Sequence, residues 1–333
     1  MATILISGSA GFIGSNLSRL LLGEGHSVIG VDNYITGTRA NTESLVAYER
    51  FTFHESDITD PAFALFFGDQ HIDYVYHLAC PTGVPNLKIL STEMLTTCSY
   101  GMFNVLELAK KHGARVLFTS TAEAYGQPEK FPQDESYNGN VSTTGERSPY
   151  EEGKRFSEAV LAMYVWKHGL DARIVRVFNT YGPGMSLADR RVIPQFLQSI
   201  LEEQPIRIYG DGSQTRCHLF IDDLLRGLRI VMEKGLAGHV YNVGSEKQMT
   251  VRELAELMID MTKHAAGISY EPHFIEDHRH RRPAVEKANQ LGWKQEIPIE
   301  EGLKRMIALH IPEVSATPAI EKETNFVPIT AAA

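Results

Sequence analysis

The stretch Ile4-Leu5-Ile6-Ser7-Gly8-Ser9-Ala10-Gly11-Phe12-Ile13-Gly14 decides the fold. An apolar strand-like run ends on Gly8, glycines follow at Gly11 and Gly14, and helix-forming sequence starts at Phe12. The chemistry behind such a loop is specific. One glycine makes the tight turn, another lets backbone approach a pyrophosphate, and a third lets the helix pack closely on the strand. The helix N-terminus then offers free N–H groups and a partial positive charge to the phosphates. The spacing is G-x-x-G-x-x-G rather than G-x-G-x-x-G, so context has to support it. Ser27–Val31 reads as the second strand and Asp32 ends it, 18 residues beyond Gly14, where a carboxylate meets a ribose 2′-hydroxyl. A carboxylate there repels a 2′-phosphate, which favours NAD over NADP; Arg39 nearby is the opposing signal.

Outward from this loop, short β-rich runs alternate with helical patterns. Candidate strands are Thr3–Ser7, Ser27–Val31, Phe51–Glu55, Tyr74–Leu78, Val116–Ser120 and Arg173–Phe178. Phe12–Leu22, Met94–His112 and Tyr150–Lys167 read as helices between them. Apolar strands alternating with helices predict an α/β fold, a Rossmann-type doubly wound parallel sheet. After Tyr181 the pattern breaks at Gly182-Pro183-Gly184. Ile193–Glu203 and Thr250–His264 then read as helices, the second started by a Thr250 cap with Glu253 three residues on. A smaller C-terminal α/β substrate domain is expected here. Residues 1–181 plus about 220–243 make the NAD-binding domain, 182–219 plus about 244–311 the substrate domain, and 312–333 a loose tail.

The 333 residues carry a formal net charge of −9, so no global basic field attracts nucleic acid or anionic lipid. No apolar run reaches the roughly 18 residues of a membrane helix, and the N-terminus lacks signal-peptide features. Cys80, Cys98 and Cys217 are far apart and odd in number, forming neither a disulfide framework nor a CxxC pair; a cytoplasmic location is expected. His278 and His280 lack further ligands and read as surface residues, so no metal is expected.

Tyr150 and Lys154 stand four apart on one helix face. A phenol has a solution pKa of about 10, and a neighbouring ammonium draws it down toward working pH. Such a pair takes a proton from an alcohol while the carbon is oxidised. With Gly8–Gly14, Asp32, Asp57 and Ser120-Thr121, the pair resembles the extended short-chain dehydrogenase/reductase superfamily over nearly the whole chain, to about residue 309. Members act mostly on nucleotide sugars. Further stretches resemble the UDP-glucuronate decarboxylases (UDP-xylose synthases): Val31–Gly37, His77–Pro81, Gln133–Val141, Arg147–Arg155, Asn179–Pro183, Tyr209–Arg216, Arg281-Arg282-Pro283 and Leu291-Gly292-Trp293.

The resemblance puts Thr121, Glu123, Tyr150, Lys154 and Arg281 on the catalytic positions. It puts Asn179, Arg191, Tyr209 and Arg216, with Thr121 and Arg281, in the segments that hold a UDP-sugar. It extends the NAD-contacting set from Gly8, Gly11, Phe12, Ile13, Gly14 and Asp32 to Asn33, Tyr34, Thr36, Gly37, Asp57, Ile58 and Leu78. The implied chemistry oxidises C4 through Tyr150 and releases CO₂ from the β-keto acid. Glu123 then aids reprotonation, Arg281 orients the carboxylate, and the recycled NAD restores the alcohol. The chain departs from the family at Ala122, where Ser is usual, at Thr96-Thr97-Cys98, where Lys-Thr-Asn is usual, and in Thr82-Gly83-Val84-Pro85. A nucleotide-sugar 4-epimerase uses the same Tyr150/Lys154 oxidation and stays open as an alternative. A 4,6-dehydratase wants an Asp-Glu pair where Ala122-Glu123 supplies one acid, and a non-catalytic NAD-binding regulator stands against intact Tyr150 and Lys154. A homodimer is expected, pairing the Tyr/Lys helix with Met94–His112; Phe156, Val160 and Met163 suit a buried face, toward a partner or the chain's own core.

Overall fold

The computed structural model describes residues 1–68, 70–83, 85–272 and 281–315. Val84, His278, His280 and the tail from 316 lie outside the described residues. In chain order the elements are β1 (Thr3–Ser7), α1 (Phe12–Gly23), β2 (Ser27–Asp32), α2 (Arg39–Glu43), β3 (Phe51–Glu55), β4 (Tyr74–His77), α3 (Asn86–Ile89), α4 (Ser91–Thr96), α5 (Met102–His112), β5 (Arg115–Thr121), α6 (Ser148–His168) and β6 (Ala172–Val177). There follow β7 (Thr180–Tyr181), α7 (Val192–Leu201), β8 (Ile206–Tyr209), β9 (Thr215–Cys217), β10 (Leu219–Phe220), α8 (Ile221–Lys234), β11 (Val240–Val243), β12 (Gln248–Thr250), α9 (Val251–Thr262), β13 (Ile268–Glu271), α10 (Glu286–Gln290) and α11 (Ile299–Ala308).

The central sheet has seven strands in the order β3-β2-β1-β4-β5-β6-β11, every neighbouring pair parallel. Such a sheet is buried on both faces, and β1 shows how: Ile4 and Ile6 enter one core while Leu5 enters the other. Leu17 and Leu21 of α1 cover the first face; Val105 and Leu106 of α5, with Leu161 of α6, cover the second. The chain returns to the large sheet at β11, which pairs with β6 from Val240↔Ile174 to Val243↔Val177. Three two-stranded ribbons, β10-β7, β12-β9 and β13-β8, carry the remainder. α9 starts with a complete capping box between Thr250 and Glu253, as its sequence predicts. Among the described residues, no helix is long and apolar enough to cross a membrane.

One expected helix is broken. Between α4 and α5 the chain makes a π turn over Thr97–Gly101. Gly101 there lies so near Ile58 that a Cβ would meet Ile58 Cδ1 at 2.8 Å. The extra residue of a π turn widens the coil at that close approach.

Asn242, fully buried near the end of β11, ties three remote segments together. Its side-chain amide donates to the carbonyls of Gln133 and Ala284, each at 3.0 Å, and its amide oxygen accepts from Tyr125 Oη at 2.8 Å. Gln133 itself pairs with the segment after the described gap: its N–H donates to the Arg282 carbonyl at 2.9 Å, and its carbonyl accepts from Ala284 N at 2.8 Å. This knot fixes where Arg281 stands.

Candidate active site

A cleft of about 990 Å³ follows the C-terminal ends of the sheet strands. In parallel α/β sheets that edge is where ligands bind. At one end Gly8 takes φ +80°, and its N–H donates to the Val31 carbonyl at 2.8 Å. A Cβ on Gly14 would lie 2.1 Å from the Gly8 carbonyl oxygen, and one on Gly37 would lie 2.9 Å from Asp32 Oδ1. These positions exclude any side chain and leave a backbone-lined cradle. Asp32 closes it, accepting from Ala10 N at 2.9 Å and Tyr34 N at 2.8 Å. Burial raises the Asp32 pKa, and those backbone bonds oppose the rise. Asp57 sits below the ordinary carboxylate range: burial pushes it up, but bonds from the Thr59 amide and hydroxyl and from Asn33 outweigh that. Phe12, Ile13, Asn33, Thr36, Ile58 and Leu78 line the same cleft. Tyr34 is not among the lining residues; its ring packs on Phe53 at 5.3 Å and its hydroxyl bonds to Thr42. Arg39 pairs with Glu55 at 3.0 Å and lies over the Tyr34 ring.

Mid-cleft, the C-terminal end of β5 meets the start of α6. Thr121 Oγ caps the turn that follows β5, accepting from Glu123 N at 3.2 Å. The strand end is fixed from behind: Ser120 Oγ donates to Glu158 at 2.5 Å, and Arg176 grips Glu158 through Nε at 2.9 Å and Nη2 at 2.7 Å. Lys154 is buried and donates from Nζ to the Thr119 carbonyl at 2.9 Å, lying over the Phe118 ring. Burial works to lower the Lys154 pKa, but nearby Cys80, Cys98, Tyr150 and Glu158 leave it above the ordinary value. The Tyr150 pKa is raised, not lowered: burial penalises the phenolate more than Lys154 and the Thr121 hydrogen bond stabilise it. The expected downward pull of Lys154 is therefore present but outweighed.

Glu123 is held between two guanidiniums. Arg281 meets it in a two-pronged fork, Nη1 on Oε1 and Nη2 on Oε2, and Arg147 Nη2 donates to Oε2 at 2.8 Å. Arg147 also donates to Glu151 at 3.0 Å, in the first turn of α6. Charge-assisted forks of this kind keep a carboxylate ionised. Arg281 Nε is buried and has no hydrogen-bond partner among the described residues.

At the far end, four arginines line the cleft, Arg190, Arg191, Arg207 and Arg216, beside Asn179 and Tyr209. Arg191 is already engaged by Asp189 through Nε at 3.0 Å and Nη2 at 2.6 Å. Arg216 Nη1 donates to the Thr215 carbonyl at 2.9 Å.

The model of the NAD dependent epimerase/dehydratase family matches residues 4–244. The chain belongs to that family. It is 40% identical over 306 residues to UDP-glucuronic acid decarboxylase 1 of Arabidopsis thaliana, a match that covers 92% of this chain and 69% of the relative. Its structure is similar to that of UDP-glucose 4-epimerase with UDP-glucose from Thermotoga maritima, with TM-score 0.86, 30% identity, and coverage of 94% of this chain and 99% of that one. UDP-glucuronic acid 4-epimerase from Bacillus cereus, in complex with UDP-glucuronic acid and NAD, gives TM-score 0.84 at 26% identity over 93% and 99% of the two chains.

For this member of the epimerase/dehydratase family, every residue assigned from the sequence to catalysis or to the nucleotide-sugar segments lines one cleft. Three cleft arginines escaped the sequence reading: Arg147, Arg190 and Arg207. Arg147 stands three residues before Tyr150 and four before Glu151, a spacing that signals an ion pair at a helix start. Arg207 points out of β8 between buried Ile206 and Ile208, as strand alternation dictates. The cysteines, separate in sequence, are not all separate in space: Cys80 Sγ and Cys98 Sγ lie 3.7 Å apart.

Proposed function

We propose that this chain converts UDP-glucuronate to UDP-xylose with CO₂ release, using NAD as a retained and recycled cofactor. The observation that carries the reading is one continuous cleft. It has a side-chain-free cradle at one end, Thr121, Glu123, Tyr150, Lys154 and Arg281 in the middle, and an arginine cluster at the other end. Gly8–Gly14, Asp32 and Gly37 fit NAD: the cradle suits a pyrophosphate, and Asp32 suits a ribose 2′-hydroxyl. Arg39, spent on Glu55, leaves NAD favoured over NADP. Bound NAD supplies a reversible oxidant for the sugar C4.

The chain's own residues do the rest. Tyr150 acts as the phenolate, which the Lys154 ammonium, fixed on the Thr119 carbonyl, stabilises; it takes the C4 hydroxyl proton and becomes the neutral phenol. The C4 ketone is β to the C6 carboxylate, so the C5–C6 bond breaks with its electron pair entering an enolate. Glu123, kept ionised by Arg281 and Arg147, accepts a hydrogen bond from water and orients it toward C5. Arg281 faces the carboxylate, and Arg191 and Arg216 suit a diphosphate. We also propose a sheet domain of residues 1–181 plus about 220–243 and a substrate domain of 182–219 plus about 244–311; its support is that the cradle residues fall in the first and Arg190, Arg191, Arg207 and Arg216 in the second.

Incubation with UDP-glucuronate, followed by mass spectrometry, tests the reading. A UDP-pentose lighter than the substrate by one CO₂ is expected. An isomer of unchanged mass selects the 4-epimerase instead, and no turnover of any uronate nucleotide overturns both. We further propose a cytoplasmic homodimer. Its support is an exposed apolar strip on the helices of residues 91–112 and 148–168: Leu95 at 46%, Tyr100 at 65%, Phe103 at 37% and Phe156 at 46% exposure. Val160 belongs to the chain's own core and Met163 packs against it, so Phe156 alone of the three apolar residues first considered suits the partner face.

A further inference from the structure

Two thiols meet behind the mid-cleft centre. Cys80 follows β4 and lines the cleft; Cys98 is buried in the π turn between α4 and α5. Their sulfur atoms are 3.7 Å apart, although 18 residues separate them in sequence. The π turn packs tightly on α6. A Cβ on Gly153 would lie 3.3 Å from Cys98 Sγ, and Ser157 Oγ donates to the Cys98 carbonyl at 2.7 Å. Gly153 directly precedes Lys154, so the thiol pair touches the helix turn that carries Tyr150 and Lys154.

We propose that Cys80 and Cys98 form a reversible disulfide by exchange with a small-molecule disulfide entering the cleft, and that this bond disables the adjacent Tyr150/Lys154 turn. The thiolate of Cys80 attacks one sulfur of the external disulfide. A mixed disulfide forms and one external thiolate leaves. The Cys98 thiolate then attacks the Cys80 sulfur, closing Cys80–Cys98 and expelling the second external thiolate. The two cysteine protons end on the two released thiols. The two electrons have passed from the protein to the external disulfide. Position sets the order of attack: Cys80 lines the cleft, where the external disulfide arrives, and Cys98 is buried behind it. In the free dithiol the hydrogen bond from Cys80 is the main cause that holds the Cys98 thiol below its ordinary pKa, while Cys80 is pushed up; once Cys80 is in the mixed disulfide, Lys154 and Ser157 still favour the Cys98 thiolate.

A disulfide needs about 2.05 Å between sulfurs. The pair therefore closes by roughly 1.7 Å, and with Gly153 already in contact with Cys98 the movement is passed to α6. A misplacement of about 1 Å at reacting groups costs on the order of 100-fold in rate.

The test uses the full chain equilibrated with glutathione disulfide, blocked with iodoacetamide and digested without reduction. A linked peptide pair containing Cys80 and Cys98, lighter by two hydrogens than the reduced pair, is expected, with Cys217 alkylated only after denaturation. Deuterium uptake over residues 148–157 should differ at least about twofold between the oxidised and reduced forms. Turnover of UDP-glucuronate should fall on the order of 100-fold and return with dithiothreitol. The variants Cys98→Ser and Cys98→Ala should keep turnover and lose its sensitivity to glutathione disulfide. Absence of the linked peptide, or a stable mixed disulfide on Cys80 with Cys98 still alkylatable, overturns the proposal. So does a linked form with unchanged exchange over 148–157. The consequence for turnover rests on the decarboxylase reading, whereas the mass and exchange measurements do not, so failure of one is distinguishable from failure of the other.

Discussion

Replacing Glu123 by glutamine removes the negative charge that two guanidiniums converge on. The carboxylate accepts two bonds from Arg281 and one from Arg147, with side-chain exposures of 16%, 10% and 22% for Glu123, Arg281 and Arg147. Glutamine keeps an accepting oxygen at the Oε2 place, turns an NH₂ toward Arg281 Nη1, and leaves the two remaining bonds without the carboxylate charge, a loss equivalent to roughly two charged bonds. At about 1.5–3 kcal/mol for each bond to a charged group, the loss is about 3–6 kcal/mol. That agrees with the roughly 3–5 kcal/mol seen when one partner of a buried ion pair is removed. Over 333 residues, an unfolding entropy of about 2.1 cal/mol/K per residue gives about 0.7 kcal/mol/K. A loss of about 4 kcal/mol then lowers Tm by about 6 °C, read by calorimetry. Turnover of UDP-glucuronate should drop about 100-fold or more. KM should not rise, because the Arg281 fork is released toward the substrate carboxylate. A Tm within about 1 °C of the parent chain together with kcat within about twofold would refute the pairing and its catalytic use.

Acid should destabilise the fold through two buried histidines. Burial lowers His77 to about 3 and His218 to about 4, with Lys154 and Arg216 respectively adding to the effect, against an ordinary value of 6.5. Between those values the unfolded chain binds protons that the folded chain refuses. Stability is therefore complete above about 6.5 and falls by about 2.7 kcal/mol per pH unit as pH drops toward 4. Urea unfolding at a series of pH values measures the slope, and His77→Gln should roughly halve it. Gly14→Ala places a methyl 2.1 Å from the Gly8 carbonyl, so NAD binding by calorimetric titration should weaken at least about tenfold and Tm should drop. Tyr150→Phe removes the proton acceptor while keeping the ring; kcat should fall about 100-fold or more with NAD affinity little changed, and retained turnover would assign the proton to another group.

The inner strands of the sheet were legible because they are apolar runs buried on both faces, and the glycine loop because its geometry tolerates nothing else; the edge strand β11 was not read as one. All six strands read from the sequence begin within one residue of the observed start, and the Thr250 capping box follows directly from a Thr and a Glu three apart. Local spacing carries no information about residues brought together by the fold. Glu123 and Arg281 were each readable as functional, but not as each other's partner across 158 positions. Cys80 and Cys98 meet only because the π turn bulges toward the end of β4, and nothing in the helical period of 94–112 marks that turn. Arg207 and Arg190 reach the cleft from the ribbon-bearing half, where short strands leave a weak pattern.

The knot at Asn242 also sets a timetable. Glycine loop, Tyr150 and Lys154 all lie in the first half of the chain, whereas Asn242, Arg281 and Ala284 are made late. At about 5–20 residues per second, a ribosome adds the 158 residues from Glu123 to Arg281 in roughly 8–32 s. Once Lys154 has been added, the nascent chain holds the residues of its first five sheet strands and of its proton-transfer pair, yet Glu123 has only one of its two guanidiniums until Arg281 is made. The arginine that completes the centre is made only after β11, the last strand of the central sheet, so reactive chemistry waits until the whole sheet has been synthesised.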